Sequence, residues 1–282
     1  MGKTCYIQNY VDHDPGPGAT DSACGDLTYD GHDGTDIAVP TRADMRKTIA
    51  VYAALDGTVR ATRDGEPDSA FADGASVKDK ECGNGVIIDH ASGWQTQYCH
   101  LKNGSILVQP GQKVATGTTL GEIGQSGLAA FPHVHFEIRH NGQSLDPFTA
   151  GDSACTLAAD HAQLWTTPIT YDGGGVLLAG LTSEIPDYDA IKQGRLPALP
   201  QEGAGRLILW IYGFGGQPEA DLHATLSGAG QNLSQNIAFE KPQALYLRYI
   251  GRNVKTGLKP GTYTFTVTDT TGHITAGEVT VP

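Results

Sequence analysis

The run His133-Val134-His135-Phe136-Glu137-Ile138-Arg139 reads as a β-strand. Side chains repeat every two residues along a strand, so His133 and His135 point the same way. Similar short apolar alternations broken by glycine surround it, at 49–53, 57–60, 86–90, 94–98 and 113–115. The 37 glycines suit many short strands joined by tight turns. Together they predict an antiparallel, barrel-like all-β core between Gly31 and about Pro147. The polar, Asp-rich stretch 63–81 reads as a long surface insertion, of the kind that borders binding sites.

Outside this core the pattern changes. Residues 1–30 read as an N-terminal loop region, 31–150 as the first domain, 151–168 as a linker with a short helix, and 169–282 as a second domain. The stretches 206–212, 245–250 and 261–268 predict strands of a small β-sandwich. It is expected to be immunoglobulin-like but to lack a Cys…Trp…Cys frame. Tyr212 and Phe214 read as core and turn residues rather than as a carbohydrate-binding platform. The fold class is therefore mainly β in both domains.

Composition narrows the function. A net charge of −12 argues against a nucleic-acid binder, which neutralises phosphates with Lys and Arg. No apolar run approaches the roughly 20 residues of a transmembrane segment. The first residues hold no signal-peptide core, and a start so close to Cys5 reads as a mature form that has lost upstream residues. None of the five cysteines makes a C-x-x-C. Cys82 and Cys99 flank a hairpin and can pair across it. Cys5 with Cys24 would close a Gly/Pro/Asp-rich loop, leaving Cys155 over. Two disulfides imply an oxidising compartment.

Histidine placement carries the chemistry. His32 and Asp36 form H-x-x-x-D in a Gly-rich loop, His133 and His135 share a strand face, and His100 ends another strand. Two imidazoles with a further His and a carboxylate offer the N/N/O set that a catalytic zinc accepts, with a fourth position open to water. An H-E-x-x-H helix is absent.

These residues occur within a wider pattern: His32-x-x-x-Asp36 with Pro40, the stretches 83–90 and 98–101, 108–114 and 121–127, then 133–139 with Asp146-Pro147. Residues 31–148 thereby resemble the catalytic domain of the M23 metallopeptidases, the LytM/lysostaphin-type peptidoglycan endopeptidases. The resemblance implies that His32, Asp36 and His135 bind Zn²⁺, with His100 and His133 as assisting, non-ligand histidines. One of these two would be the general base. It further implies hydrolysis of peptide bonds in peptidoglycan stems or cross-links, in a bacterial periplasm or outside the cell. The alternative is a latent or non-catalytic wall-binding or activator protein that retains the metal site, its zinc covered by residues 6–30 with His13 or Asp14 as donor. His90 reads as structural, and His13, His140, His161, His223 and His273 as surface residues.

Overall fold

The alternation around His133 becomes the centre of an antiparallel sheet. The computed structural model describes residues 4–69, 71, 72, 74–150, 155, 162–218, 220–269 and 271–282. The chain divides into two units, Met1–Tyr171 and Asp172–Pro282. The first unit contains β1 (Tyr6–Asn9), β2 (Thr35–Ala38), β3 (Ala50–Tyr52), β4 (Gly57–Arg63), β5 (Asn84–Asp89), β6 (Trp94–Leu101), β7 (Lys113–Val114), β8 (Thr119–Glu122), β9 (His133–His140) and β10 (Gln143–Leu145). The main sheet runs β1-β2-β9-β6-β5-β4-β7 with β10 on β9, while β3 and β8 form a separate pair.

One face of β9 makes the core. Val134, Phe136 and Ile138 pack with Val86 and Ile88 of β5 and with Tyr98 and Leu101 of β6. Each such side chain contributes about 1.5–3 kcal/mol when fully buried. The opposite face carries His133, His135 and Glu137, also buried. Core packing thus fixes which way the histidines point.

Several register shifts interrupt regular pairing in this unit, and two of them bear on the histidine cluster. Between β5 and β6 the pairing steps from Val86↔Tyr98 to Asn84↔Leu101, which inserts one extra residue beside Cys99 and His100. His100 takes φ 62° there. Regular alternation would send its ring to the Tyr98 face; the bulge re-aims it, as bulges beside functional sites do. Between β1 and β2 the pairing steps from Ile7↔Ile37 to Asn9↔Asp36. The region 1–30, expected to be loop, thus contains a strand, since β1 pairs with the strand that carries Asp36.

The second unit contains β11 (Gly175–Thr182), α1 (Tyr188–Lys192), β12 (Arg206–Gly216), β13 (Leu222–Gly228), β14 (Gln231–Ile237), β15 (Gln243–Asn253), β16 (Gly261–Thr268) and β17 (Ile274–Val281). Its sheets β11-β12-β15 and β14-β13-β16-β17 share a core that includes Leu207, Leu209, Leu226, Tyr263 and Phe265. The fourth strand pairs with the third, whereas in constant-type immunoglobulin domains it joins the sheet of the first. Tyr212 and Phe214 are buried.

Disulfides join Cys82 to Cys99 and Cys24 to Cys155, leaving Cys5 free. The expected Cys5–Cys24 pair is corrected. Cys5 precedes β1 and packs against the first core, whereas Cys24 lies in the loop beyond it. Of the expected linker helix, residues 158–161 lie outside the described residues, and Ala162–Trp165 are not helical. No helix among the described residues is long and apolar enough to cross a membrane.

Candidate metal centre

Sheet register brings the first three candidate residues together. β2 pairs with β9 so that Asp36 opposes His135, and His32 arrives from the loop before β2. His32 Nε2 lies 3.1 Å from Asp36 Oδ1 and 3.2 Å from His135 Nδ1, and the last two atoms are 3.0 Å apart. All three residues are buried.

The surroundings fix which atoms face inward. His32 Nδ1 lies 2.6 Å from the Tyr10 carbonyl. That oxygen can only accept, so Nδ1 carries the proton and Nε2 presents a lone pair. The Asn9 amide donates to Asp36 Oδ2 at 2.8 Å, leaving Oδ1 to the two histidines. On the far side of His135, Nε2 lies 3.3 Å from Asp33 Oδ1. Gly34 is required beside it, because a Cβ there would sit 2.6 Å from His135 Cε1 and Nε2.

Three donor atoms this close need positive charge among them, either a proton on His135 hydrogen-bonded to Asp36 or a metal ion in its place. Atoms bound at about 2.0–2.1 Å to a tetrahedral zinc lie about 3.3 Å apart, which matches the observed triangle. The outer partners of His32 and His135, a backbone carbonyl and a carboxylate, are those that orient metal-bound histidines. The donor set therefore fits a divalent metal. The electrostatics agree. Burial pushes His135 down, but Asp33 and Asp36 outweigh it and raise it to about 9. Burial likewise opposes ionisation of Asp36, yet the surrounding histidines hold it well below the usual carboxylate range.

His133 and His100 flank this triangle. His133 Nδ1 is 2.8 Å from the Phe131 carbonyl, its ring stacks on Phe131 at 4.4 Å, and its Nε2 is 3.4 Å from Asp36 Oδ1. His100 Nδ1 is 2.8 Å from the Ser126 carbonyl, and its ring lies 4.6 Å from that of His133 and 6.0 Å from that of His135. Both are pushed below the ordinary histidine range. Burial dominates for His133; for His100, burial and then His133 and His135 drive the larger shift. Burial thus favours the neutral form of each, and a carbonyl holds each Nδ1 proton, which leaves Nε2 able to accept one.

The remaining candidates lie elsewhere. His13 is not a surface residue, since its side chain is buried with Nε2 2.8 Å from Asp146 Oδ2. Asp14 accepts the Gly16 amide. His90 lies against the Asp56 carbonyl and Thr96 Oγ1, and His161 lies outside the described residues. Sequence reasoning missed Asn9, Asp33, the Tyr10 carbonyl and Tyr29, whose half-exposed ring lies tilted with its centroid 4.4 Å from that of His32. Only Asp33 had a local signal, sitting inside the H-x-x-x-D motif.

Residues 30–147 match the model of peptidase family M23. The chain is similar to the peptidoglycan DD-endopeptidase ShyA of Vibrio cholerae, 34% identical over 119 residues, which are 42% of this chain and 23% of ShyA. It is also similar to the DD-carboxypeptidase/endopeptidase Mpg of Neisseria meningitidis, 34% identical over 116 residues, 40% of this chain and 26% of Mpg. The chain thus matches about a quarter of the length of these curated relatives. A solved catalytic-domain mutant of the prophage-encoded M23 protein EnpA from Enterococcus faecalis is 26% identical. That match covers 54% of this chain and 95% of EnpA's, at a TM-score of 0.37.

Proposed function

We propose that this protein is a zinc-dependent endopeptidase that cleaves peptide bonds in the stems or cross-links of bacterial peptidoglycan, outside the cytoplasm. The observation that carries the reading is the triangle of His32 Nε2, Asp36 Oδ1 and His135 Nδ1, 3.0–3.2 Å on each side, within the segment that matches peptidase family M23. Similarity to ShyA, a peptidoglycan DD-endopeptidase, supports the substrate class, and similarity to Mpg, a DD-carboxypeptidase/endopeptidase, supports the reaction type. The two disulfides fit an oxidising compartment such as the periplasm.

In this reading His32, Asp36 and His135 hold the metal. A zinc ion there acts as a Lewis acid toward a peptide carbonyl and acidifies water. The chain's own part is to orient and to move protons. The Tyr10 carbonyl and the Asn9 amide fix the inward atoms of His32 and Asp36. One of His100 and His133, both disfavoured from charging by burial, takes the proton from the attacking water at Nε2 and returns it to the leaving amine. Their burial stops them from being protonated in advance near neutral pH.

The test is to incubate the full chain with purified sacculi and follow muropeptide release by chromatography, alongside metal content. About one zinc per chain, with release abolished in His135→Ala, is expected. Zinc without release would indicate a latent or activator protein, and absence of zinc would overturn the reading.

A further inference from the structure

We propose that Asn9 is a positioning residue of the metal centre: its amide locks the Asp36 carboxylate so that Oδ1 alone faces the histidines. The proposal rests on the reading of His32, Asp36 and His135 as ligands.

The argument begins with register. Continued regularly from Tyr6↔Ala38 and Ile7↔Ile37, β1 would set Gln8 opposite Asp36. The bulge instead sets Asn9 there. Gln8 is turned to a different task, accepting from the Tyr6 hydroxyl. Asn9 and Asp36 are 7% and 1% exposed, and their 2.8 Å hydrogen bond lies in the dry interior, where such contacts are strongest. A carboxylate has two equivalent oxygens and rotates readily about its terminal bond. With Oδ2 held by Asn9, Oδ1 is fixed at 3.1 Å from His32 Nε2, 3.0 Å from His135 Nδ1 and 3.4 Å from His133 Nε2.

The donor is a neutral amide. It holds the carboxylate without cancelling the negative charge that attracts a cation, as a lysine or arginine in its place would. The next residue, Tyr10, supplies the carbonyl that fixes His32. Two consecutive residues of an edge segment therefore set the inward atoms of two of the three ligands. Losing an outer-shell partner of this kind typically costs about 10–100-fold in metal affinity.

The experiment compares the full chain with Asn9→Leu, which keeps the shape without the donor, Asn9→Ala, and Asn9→Gln, which keeps the amide on a longer stem. Zinc affinity is measured by chelator competition, the ligand field by visible absorption of the Co²⁺-loaded protein, and folding by melting the metal-free forms. Asn9→Leu is expected to bind zinc about 10–100-fold more weakly, with an altered Co²⁺ spectrum and a metal-free melting temperature near wild type. Asn9→Gln is expected to recover part of the affinity. If Asn9→Leu does not fold, Asn9→Ala carries the comparison. Wild-type affinity and spectrum in the donor-less variant would overturn the role of Asn9 and leave the ligand assignment standing. Affinity lost only in proportion to a lowered metal-free melting temperature would also overturn it. A wild-type chain that binds no zinc would overturn both.

Discussion

The backbone amide of His100 donates to the carbonyl of Cys82 at 2.8 Å, so the histidine and the Cys82–Cys99 disulfide belong to one bulged turn. The bridge closes a short loop, and loops of about 15 residues gain about 3 kcal/mol from such a link in the chain-entropy estimate. Replacing both cysteines with alanine is expected to lower the melting temperature. It should reduce peptidoglycan hydrolysis more than zinc affinity, because His100 is re-aimed while the metal triangle is not. Melting curves, zinc titration and muropeptide release on one preparation check this; an equal loss of zinc affinity and hydrolysis would count against it.

Substitutions in the histidine pair and in the triangle are expected to separate. His100→Gln should retain about one zinc per chain while turnover drops about 10²–10⁴-fold, the usual worth of a general base. His135→Gln should lose the metal itself. Metal content measured beside turnover distinguishes the two.

Gly34→Ala tests how closely the chain approaches His135. The added methyl would lie 2.6 Å from two ring atoms and 2.8 Å from the Phe136 carbonyl, so the ring must move. A stability loss of about 1–3 kcal/mol, typical of overpacking, is expected together with weaker zinc binding. Denaturant unfolding and chelator competition read the two effects.

Asp33 reaches His135 from the solvent side, its side chain 56% exposed. Asp33→Asn removes the charge and leaves the shape. Zinc affinity is expected to fall near the lower end of the outer-shell range, about 10-fold. The difference from wild type should shrink as ionic strength rises, because an exposed carboxylate is screened. Chelator competition at low and high salt checks both parts.

Much of this was legible in the sequence wherever one rule governed the residue. The strand at 133–139 followed from strict alternation, and β4 (Gly57–Arg63) and β16 (Gly261–Thr268) began where glycine ended a turn. His32, Asp36 and His135 were legible as a set through the family pattern, and their convergence depends on ordinary pairing of β2 with β9. Asn9 was hidden because a bulge, which leaves no mark in composition, decides whether residue 8 or 9 meets Asp36. The orientation of His100 was hidden for the same reason. The partner of Cys24 escaped because a link across 131 residues leaves no local pattern. β1 was obscured by the Gly/Pro/Asp-rich stretch that follows it.

Asp36 and His135 are separated by 99 residues, which a ribosome takes roughly 5–20 s to add. Until β9 (His133–His140) has emerged, β2 has no partner on that side and the emerging polypeptide has no assembled centre. Cys24 waits longer still, for residue 155. The His32–Asp36–His135 cluster is therefore completed late in synthesis, and a chain interrupted before β9 carries two of the three proposed ligands and lacks the third.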